Sequence, residues 1–160
     1  MKTKEELMVK MALDAWNTYI KRTDELISQL SDEQLMKEMS PGKNRGIYML
    51  GHLTSVHDHM IPILGAGEVL YPSLTNAFIE LPDNSESQFP PLHDLRNYWK
   101  AVNEKLSEHF KNLSADDWFQ KHNSVSTEDF EKEPHRNKLN VLMNRTSHLS
   151  YHMGQMVFLK

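Results

Sequence analysis

The chain has 160 residues, 18 Lys and Arg against 22 Asp and Glu, a formal charge of −4 and no cysteine. This length suits a single domain over residues 1–160, large enough to bury roughly 68–70% of its unfolded surface. The missing cysteine excludes disulfides, thiolate metal sites, iron–sulfur clusters and a cysteine nucleophile. The mildly acidic balance, with no basic stripe, argues against nucleic acid as a partner. Nine histidines beside zero cysteines are the compositional feature to follow.

Charges run through Met1-Lys2-Thr3-Lys4-Glu5-Glu6, where a signal peptide would need an apolar core. No apolar run approaches the roughly 18 residues of a membrane span. The expectation is therefore a cytoplasmic protein with no membrane partner. Thr3-Lys4-Glu5-Glu6 has the form of a capping box. It opens a first helix whose apolar positions are Leu7, Met8, Met11, Ala15, Tyr19, Leu26 and Leu30. A second box, Ser31-Asp32-Glu33-Gln34, opens a short helix that Pro41-Gly42 should stop. Asn44 is the expected N-cap of the next helix, whose inward positions are Met49, Leu53, Val56, Met60 and Ile63.

From Gly65 to Pro91 no period is sustained, which predicts a long loop with at most a turn of helix. Leu92, Leu95, Trp99, Val102, Leu106, Phe110 and Leu113 then repeat at three- and four-residue steps. Ser114 begins a short helix carrying Trp118 and Phe119, and the polar residues from Lys121 to Pro134 read as loop. The last helix starts near Asn137, with Leu139, Leu142, Met143, Thr146, Leu149, Met153 and Val157 inward. Four long amphipathic helices without strand signals predict an all-α helical bundle. The long link between the second and third of them predicts a crossover connection.

Several chemistries fail on the text. The chain has no Walker-type or dinucleotide glycine loop, no nucleophile elbow, no H-E-x-x-H and no Glu-x-x-His of a di-iron bundle. What remains is His148-Leu149-Ser150-Tyr151-His152 on the final helix. Residues four apart lie about 40° apart around a helix and one turn along it, so both imidazoles can reach one ion. Such a pair arises easily by chance in a histidine-rich chain. His52 lies about 60° from Met49, just outside the apolar arc of its own helix, as His148 and His152 do on theirs. If the two helices are neighbours, three imidazoles can converge and leave an open coordination position, the pattern of catalytic sites. The alternative is three polar boundary residues satisfied by water or carbonyl groups.

Asn44-Arg45-Gly46-Ile47-Tyr48-Met49-Leu50-Gly51-His52-Leu53 resembles the segment that brings the first metal histidine in the DinB superfamily of helical bundles. Ser147-His148-Leu149-Ser150-Tyr151-His152-Met153-Gly154-Gln155-Met156 resembles its closing H-x-x-x-H-x-G-Q signature. The likeness covers the whole chain. It implies a four-helix bundle in up-down-down-up order and a divalent ion on His52, His148 and His152, with zinc, nickel or iron found in different members. Characterised members implied as relatives include bacillithiol S-transferases and the mycothiol-dependent maleylpyruvate isomerase. A homodimer is a further family-level expectation.

The leading reading is thus a metal-dependent transferase joining a low-molecular-weight thiol cosubstrate to a small electrophilic substrate. A non-catalytic metal-binding or stress-related bundle and a metal-dependent hydrolase are the alternatives. Because the chain has no cysteine, any reacting thiol must come from outside. Arg145, one turn before His148, is a candidate for holding a substrate carboxylate, with a plain surface Arg as the alternative. His59, two turns and about 10.5 Å beyond His52, is a candidate for the pocket wall, with a surface His as the alternative, and is too far to share its ion. Gln155, one turn after His152, is a candidate support for that imidazole, with hydrogen bonding at the helix end as the alternative. His57 reads as structural or exposed, and Trp99 and Trp118 as core. The loop with Tyr71 and Phe78 is a candidate cover for the pocket.

Overall fold

The computed structural model describes residues 2–83 and 88–160. The expected loop 65–91 is therefore described except for residues 84–87, and Met1 also lies outside the described residues. Thr3 opens α1 (Lys4–Gln29) as a capping box: its hydroxyl accepts the Glu6 N–H, and Glu6 accepts the Thr3 N–H at 2.7 Å. Ser31 and Gln34 repeat the device at α2 (Asp32–Leu35). That helix ends at Leu35, well before Pro41-Gly42. Those two residues instead turn the chain back, with Gly42 at φ 74°, so that Glu38 pairs with Arg45 in an isolated antiparallel bridge.

The N-cap of α3 (Gly46–Leu64) is Arg45, not the expected Asn44, and no side chain of the cap itself closes the helix. A remote carboxylate does the fixing. Asp83 accepts the Arg45 backbone N–H at 2.7 Å and grips its guanidinium through both oxygens at 2.7–3.2 Å. A doubly bonded Arg–carboxylate pair outweighs the single neutral bond that Asn44 offers. Beyond α3, the buried Asp58 accepts the N–H groups of Leu70 and Tyr71 at 2.8 and 2.7 Å, pinning the start of the long loop. The loop then makes one π-helical turn, Asn76–Glu80, that buries Phe78.

The third and fourth long helices are α4 (Leu92–Lys111) and α7 (Lys138–Met156). Between them lie α5 (Ala115–Trp118) and α6 (Thr127–Lys132). The stretch from Lys121 to Pro134 is thus not all loop. Its helix carries only one large apolar residue, Phe130, and buries none, so hydrophobic periodicity gives no signal for it. A 3₁₀ turn, Val157–Leu159, follows α7.

Side-chain pairings set the helix directions. Trp16 faces Phe110, Asp24 accepts from Trp99, and the Ile27 carbonyl accepts from Arg96, so α1 and α4 run antiparallel. His57 meets Asn103 and Leu64 meets His109, so α3 and α4 run parallel. His52 meets His148, Met49 shares a cleft with Gln155, and Ile63 shares one with Val141, so α3 and α7 run antiparallel. Met8 lies by Met143 and Gln29 bonds Lys160, so α1 and α7 run parallel. The order is up, down, down, up. The connection between the two parallel helices, α3 and α4, is the long crossover.

The core centres on Leu50, Leu53, Phe78, Leu95 and Leu149 toward one end and on Met60, Leu64, Leu106, Trp118 and Leu142 toward the other. One expected stripe is displaced. Leu7, Met8, Met11 and Ala15 of α1 and Met143 and Val157 at the α7 end are exposed. The first half of α1 carries two apolar stripes, and it is Val9 and Trp16 that face inward. Met8, Met11 and Ala15 instead line a shallow groove with Met143 on the outer side of the α1–α7 contact. No helix among the described residues is long and apolar enough to cross a membrane.

Candidate metal centre

The antiparallel seam of α3 and α7 brings His52, His148 and His152 together. Their Nε2 atoms lie 3.2 Å apart for His52–His148 and 3.1 Å apart for His148–His152. One ligand atom from each lies within 4.8 Å of those of the others. Nitrogens 2.0–2.1 Å from one tetrahedral ion would stand about 3.3 Å apart. The observed spacing matches that.

Two of the rings are held from behind. His52 Nδ1 lies 2.7 Å from the Phe78 carbonyl, which can only accept, so this nitrogen carries the proton. His152 Nδ1 lies 2.8 Å from Gln155 Oε1 and donates in the same way. Both rings therefore present an Nε2 lone pair to a common point, the tautomer that metal-bound histidines need. His148 Nδ1 is enclosed and has no hydrogen-bond partner among the described residues.

Burial, then the His152 and His52 imidazoles, then the Arg145 guanidinium push the His148 ring down to about 4. Burial also lowers His52, opposed by the Phe78 carbonyl. Both rings are neutral at pH 7, as ligation requires. Donor type, spacing, tautomer and charge state all fit a divalent ion, and the all-nitrogen set suits zinc, nickel or iron better than calcium or magnesium.

The Phe78 carbonyl reaches His52 because residue 51 is glycine. A Cβ there would come within 2.3–2.4 Å of the Phe78 ring, so only Gly51 lets the π turn close onto α3. Tyr48 holds the same turn: its hydroxyl donates to the Leu81 carbonyl at 2.8 Å and its ring stacks with that of His52. A cleft of about 610 Å³ opens beside His152 and Gln155. Its other walls are Met39, Lys43, Asn44, Met49, Tyr151 and Phe158. The segment over this cleft is thus the 39–44 turn, not the long loop, which stands behind His52. A separate cleft of about 530 Å³ between α1 and α4 contains none of the three imidazoles.

Gln155 lies where the spacing suggested, on His152. His59 is not in the cleft wall; its Nε2 meets Thr75 Oγ1 at 2.9 Å and ties down the loop. Arg145 is half-buried and lines a different cleft, with His122 and Asn144. Trp99 and Trp118 are buried as read, and His57, for which exposure was the other reading, is buried as well. The supports that sequence reasoning missed are Phe78, which acts through its backbone, and the 39–44 turn. A glycine inside a helix carries a propensity penalty of about 1 kcal/mol, so Gly51 beside His52 was the available signal of close packing.

Residues 15–156 match the sequence profile of the DinB superfamily. The structure is similar to the crystal structure of a conserved protein from Enterococcus faecalis, with a TM-score of 0.65 and 16% identity. The match covers 94% of this chain and 93% of that one. At this identity the likeness concerns the fold alone. No curated protein sequence matches significantly.

Proposed function

The chain belongs to the DinB superfamily, and from that premise we propose that it is a divalent-metal-dependent enzyme transferring a low-molecular-weight thiol to a small electrophile. The observation that carries the proposal is the convergence of three imidazole Nε2 atoms, two with their tautomers fixed from behind, beside an open cleft. His52, His148 and His152 would hold the ion, which when bound would lower the pKa of a thiol presented to it.

The chain's own residues divide the remaining work. Phe78 and Gln155 fix ring orientation, which keeps the ligand nitrogens aimed at one point without reorganisation. Met39, Met49, Tyr151 and Phe158 supply apolar walls for the electrophile's carbon frame, and Lys43, Asn44 and Ser40 supply polar contacts at the rim. The protein has no cysteine, so both reacting partners enter through the cleft. Sulfur forms the new bond to carbon, the leaving group departs with the bonding pair, and the thiol proton passes to solvent.

The first experiment is elemental analysis and metal titration of tag-free protein. About one equivalent of a transition metal is expected, and His148→Ala should abolish its binding while leaving helicity intact. Less than about a tenth of an equivalent with no uptake on titration refutes the proposal. With metal confirmed, consumption of a model electrophile that depends on added thiol, and is lost in His148→Ala, supports the transferase. Cleavage of esters or amides without thiol refutes it in favour of a hydrolase.

A further inference from the structure

Below the triad on the same helix face lies a second polar feature. Arg145 sits one turn, about 4.5 Å of rise, before His148. Its guanidinium is half-buried, which lowers its pKa, and among the described residues it meets neither a carboxylate nor a carbonyl. Arginines withdrawn from water are rarely left without a partner, because the desolvation of the charge is then uncompensated. The group is nevertheless close enough to the triad for its charge to depress both His52 and His148.

Arg145 lines a cleft of about 510 Å³ together with Ile63, His122, Ser124, Val141 and Asn144. No carboxylate is among these lining residues. Several lining residues keep a donor free. His122 Nδ1 accepts the Ser124 backbone N–H at 3.2 Å, so the neutral ring carries its proton on Nε2 and can donate it. The Asn144 amide gives one N–H to Asn140 Oδ1 at 3.2 Å and keeps the second. The Ser124 hydroxyl is exposed. Burial, then Arg136 and Lys121, lower the His122 imidazole, although Arg136 is itself paired with Glu133 at 3.2 Å. The cleft thus gathers a fork of guanidinium donors and neutral N–H and O–H donors, with no carboxylate among its described lining residues.

We propose that this cleft is a subsite for a compact oxyanion, a carboxylate or phosphate carried by the molecule that the triad acts on. The assignment of that molecule rests on the metal-enzyme reading above; the anion site itself does not. Arg145 binds the oxyanion through paired N–H groups, and His122, Ser124 and Asn144 complete its hydrogen bonds. Arg145 and His148 share a face of α7 about one turn apart, so a molecule anchored here and long enough to pass along that face brings its far end to the imidazoles from the side opposite the Met39 and Tyr151 cleft, with which this one shares no lining residue. Substrates bearing an acidic group are therefore preferred over neutral analogues.

The test titrates succinate, and separately inorganic phosphate, into metal-free full-length protein at low ionic strength, following the Arg145 Nε–H signal by ¹H–¹⁵N NMR. Saturable shifts at Arg145, with parallel shifts at His122 and Asn144 and weakening by salt, are expected. Their relative affinities separate a carboxylate from a phosphate. Arg145→Gln should weaken binding at least about tenfold with helicity unchanged, and Arg145→Lys, which keeps the charge without the fork, should fall between. His148→Ala should bind the anion as the parent does, so failure of the metal reading leaves this result standing. No saturable shift at Arg145 with either anion, undiminished binding in Arg145→Gln, or loss of binding in folded His148→Ala would each overturn the proposal.

Discussion

His57 should make this protein acid-sensitive by a calculable amount. Its ring is fully buried between Trp16 and Trp99, with centroids 4.8 and 5.0 Å away. Its Nδ1 lies 2.8 Å from Asn103 Oδ1. Asn103 spends an amide hydrogen on the Trp99 carbonyl, which fixes Oδ1 as the acceptor and Nδ1–H as the donor. Nε2 has no partner among the described residues, so a second proton would be buried unpaired. Burial pushes the ring down to about 3, with Asn103 opposing and the charges of His148, Arg145 and His52 adding to the fall. An unfolded histidine titrates near 6.5.

Between those values the unfolded chain binds the extra proton and the native chain does not. Stability is therefore full above pH 6.5 and falls as the pH drops toward 3, with a slope approaching 1.4 kcal/mol per unit. From pH 6.5 to 4.5 the loss is about 2 kcal/mol, a large part of a typical total of 5–15. The assay is urea unfolding with EDTA present, followed by helical circular dichroism, for the parent and His57→Gln at intervals between about pH 7.5 and 4.5. Other groups contribute to both curves and cancel in their difference. The parent should lose about 2 kcal/mol relative to the variant across the lower two units. A constant offset between the two curves, or an NMR titration of His57 near 6.5, would refute the reasoning.

Other residues give sharper local tests. Gly51→Ala drives a methyl group into the Phe78 ring; it should destabilise the fold by about 1–3 kcal/mol and weaken metal binding by moving the carbonyl off His52, read by urea unfolding and metal titration. Gln155→Ala removes the acceptor from His152 Nδ1 and should lower metal affinity about 10- to 100-fold with unfolding free energy almost unchanged in EDTA. Asp58→Asn replaces a buried charged acceptor of two loop N–H groups, so the amides of Leu70 and Tyr71 should exchange hydrogen faster and stability should fall by about 1–3 kcal/mol.

The four long helices were legible because each carries an apolar stripe long enough to show its period, and three helix starts, one long and two short, because Thr3, Ser31 and Ser114 are side-chain caps. His148 and His152 were legible as a pair because helical spacing is fixed by geometry. Their meeting with His52 needed the packing of α3 on α7, which no periodicity encodes. The supports were hidden for different reasons. Phe78 acts through its carbonyl, and a backbone atom leaves no trace in residue identity. Asp83 lies 38 positions from the helix start it secures, so a local capping rule chose Asn44 instead. The displaced stripe of Leu7, Met8 and Met11 shows the limit of amphipathicity in a helix with two apolar faces, where only the neighbouring helices decide which face is covered.

The antiparallel seam has a consequence for assembly. His52 and His148 are 96 residues apart in the chain, with the crossover, all of α4 and both short helices between them. Nothing shorter than that span can gather the triad, and a chain broken within α4 leaves one imidazole on one fragment and two on the other. Closing so long a loop comes late, after the entropy of the intervening segments has been overcome by their own packing. Ion capture would therefore serve as a time stamp on folding: a metal-sensitive signal should rise with the last kinetic phase and never before it.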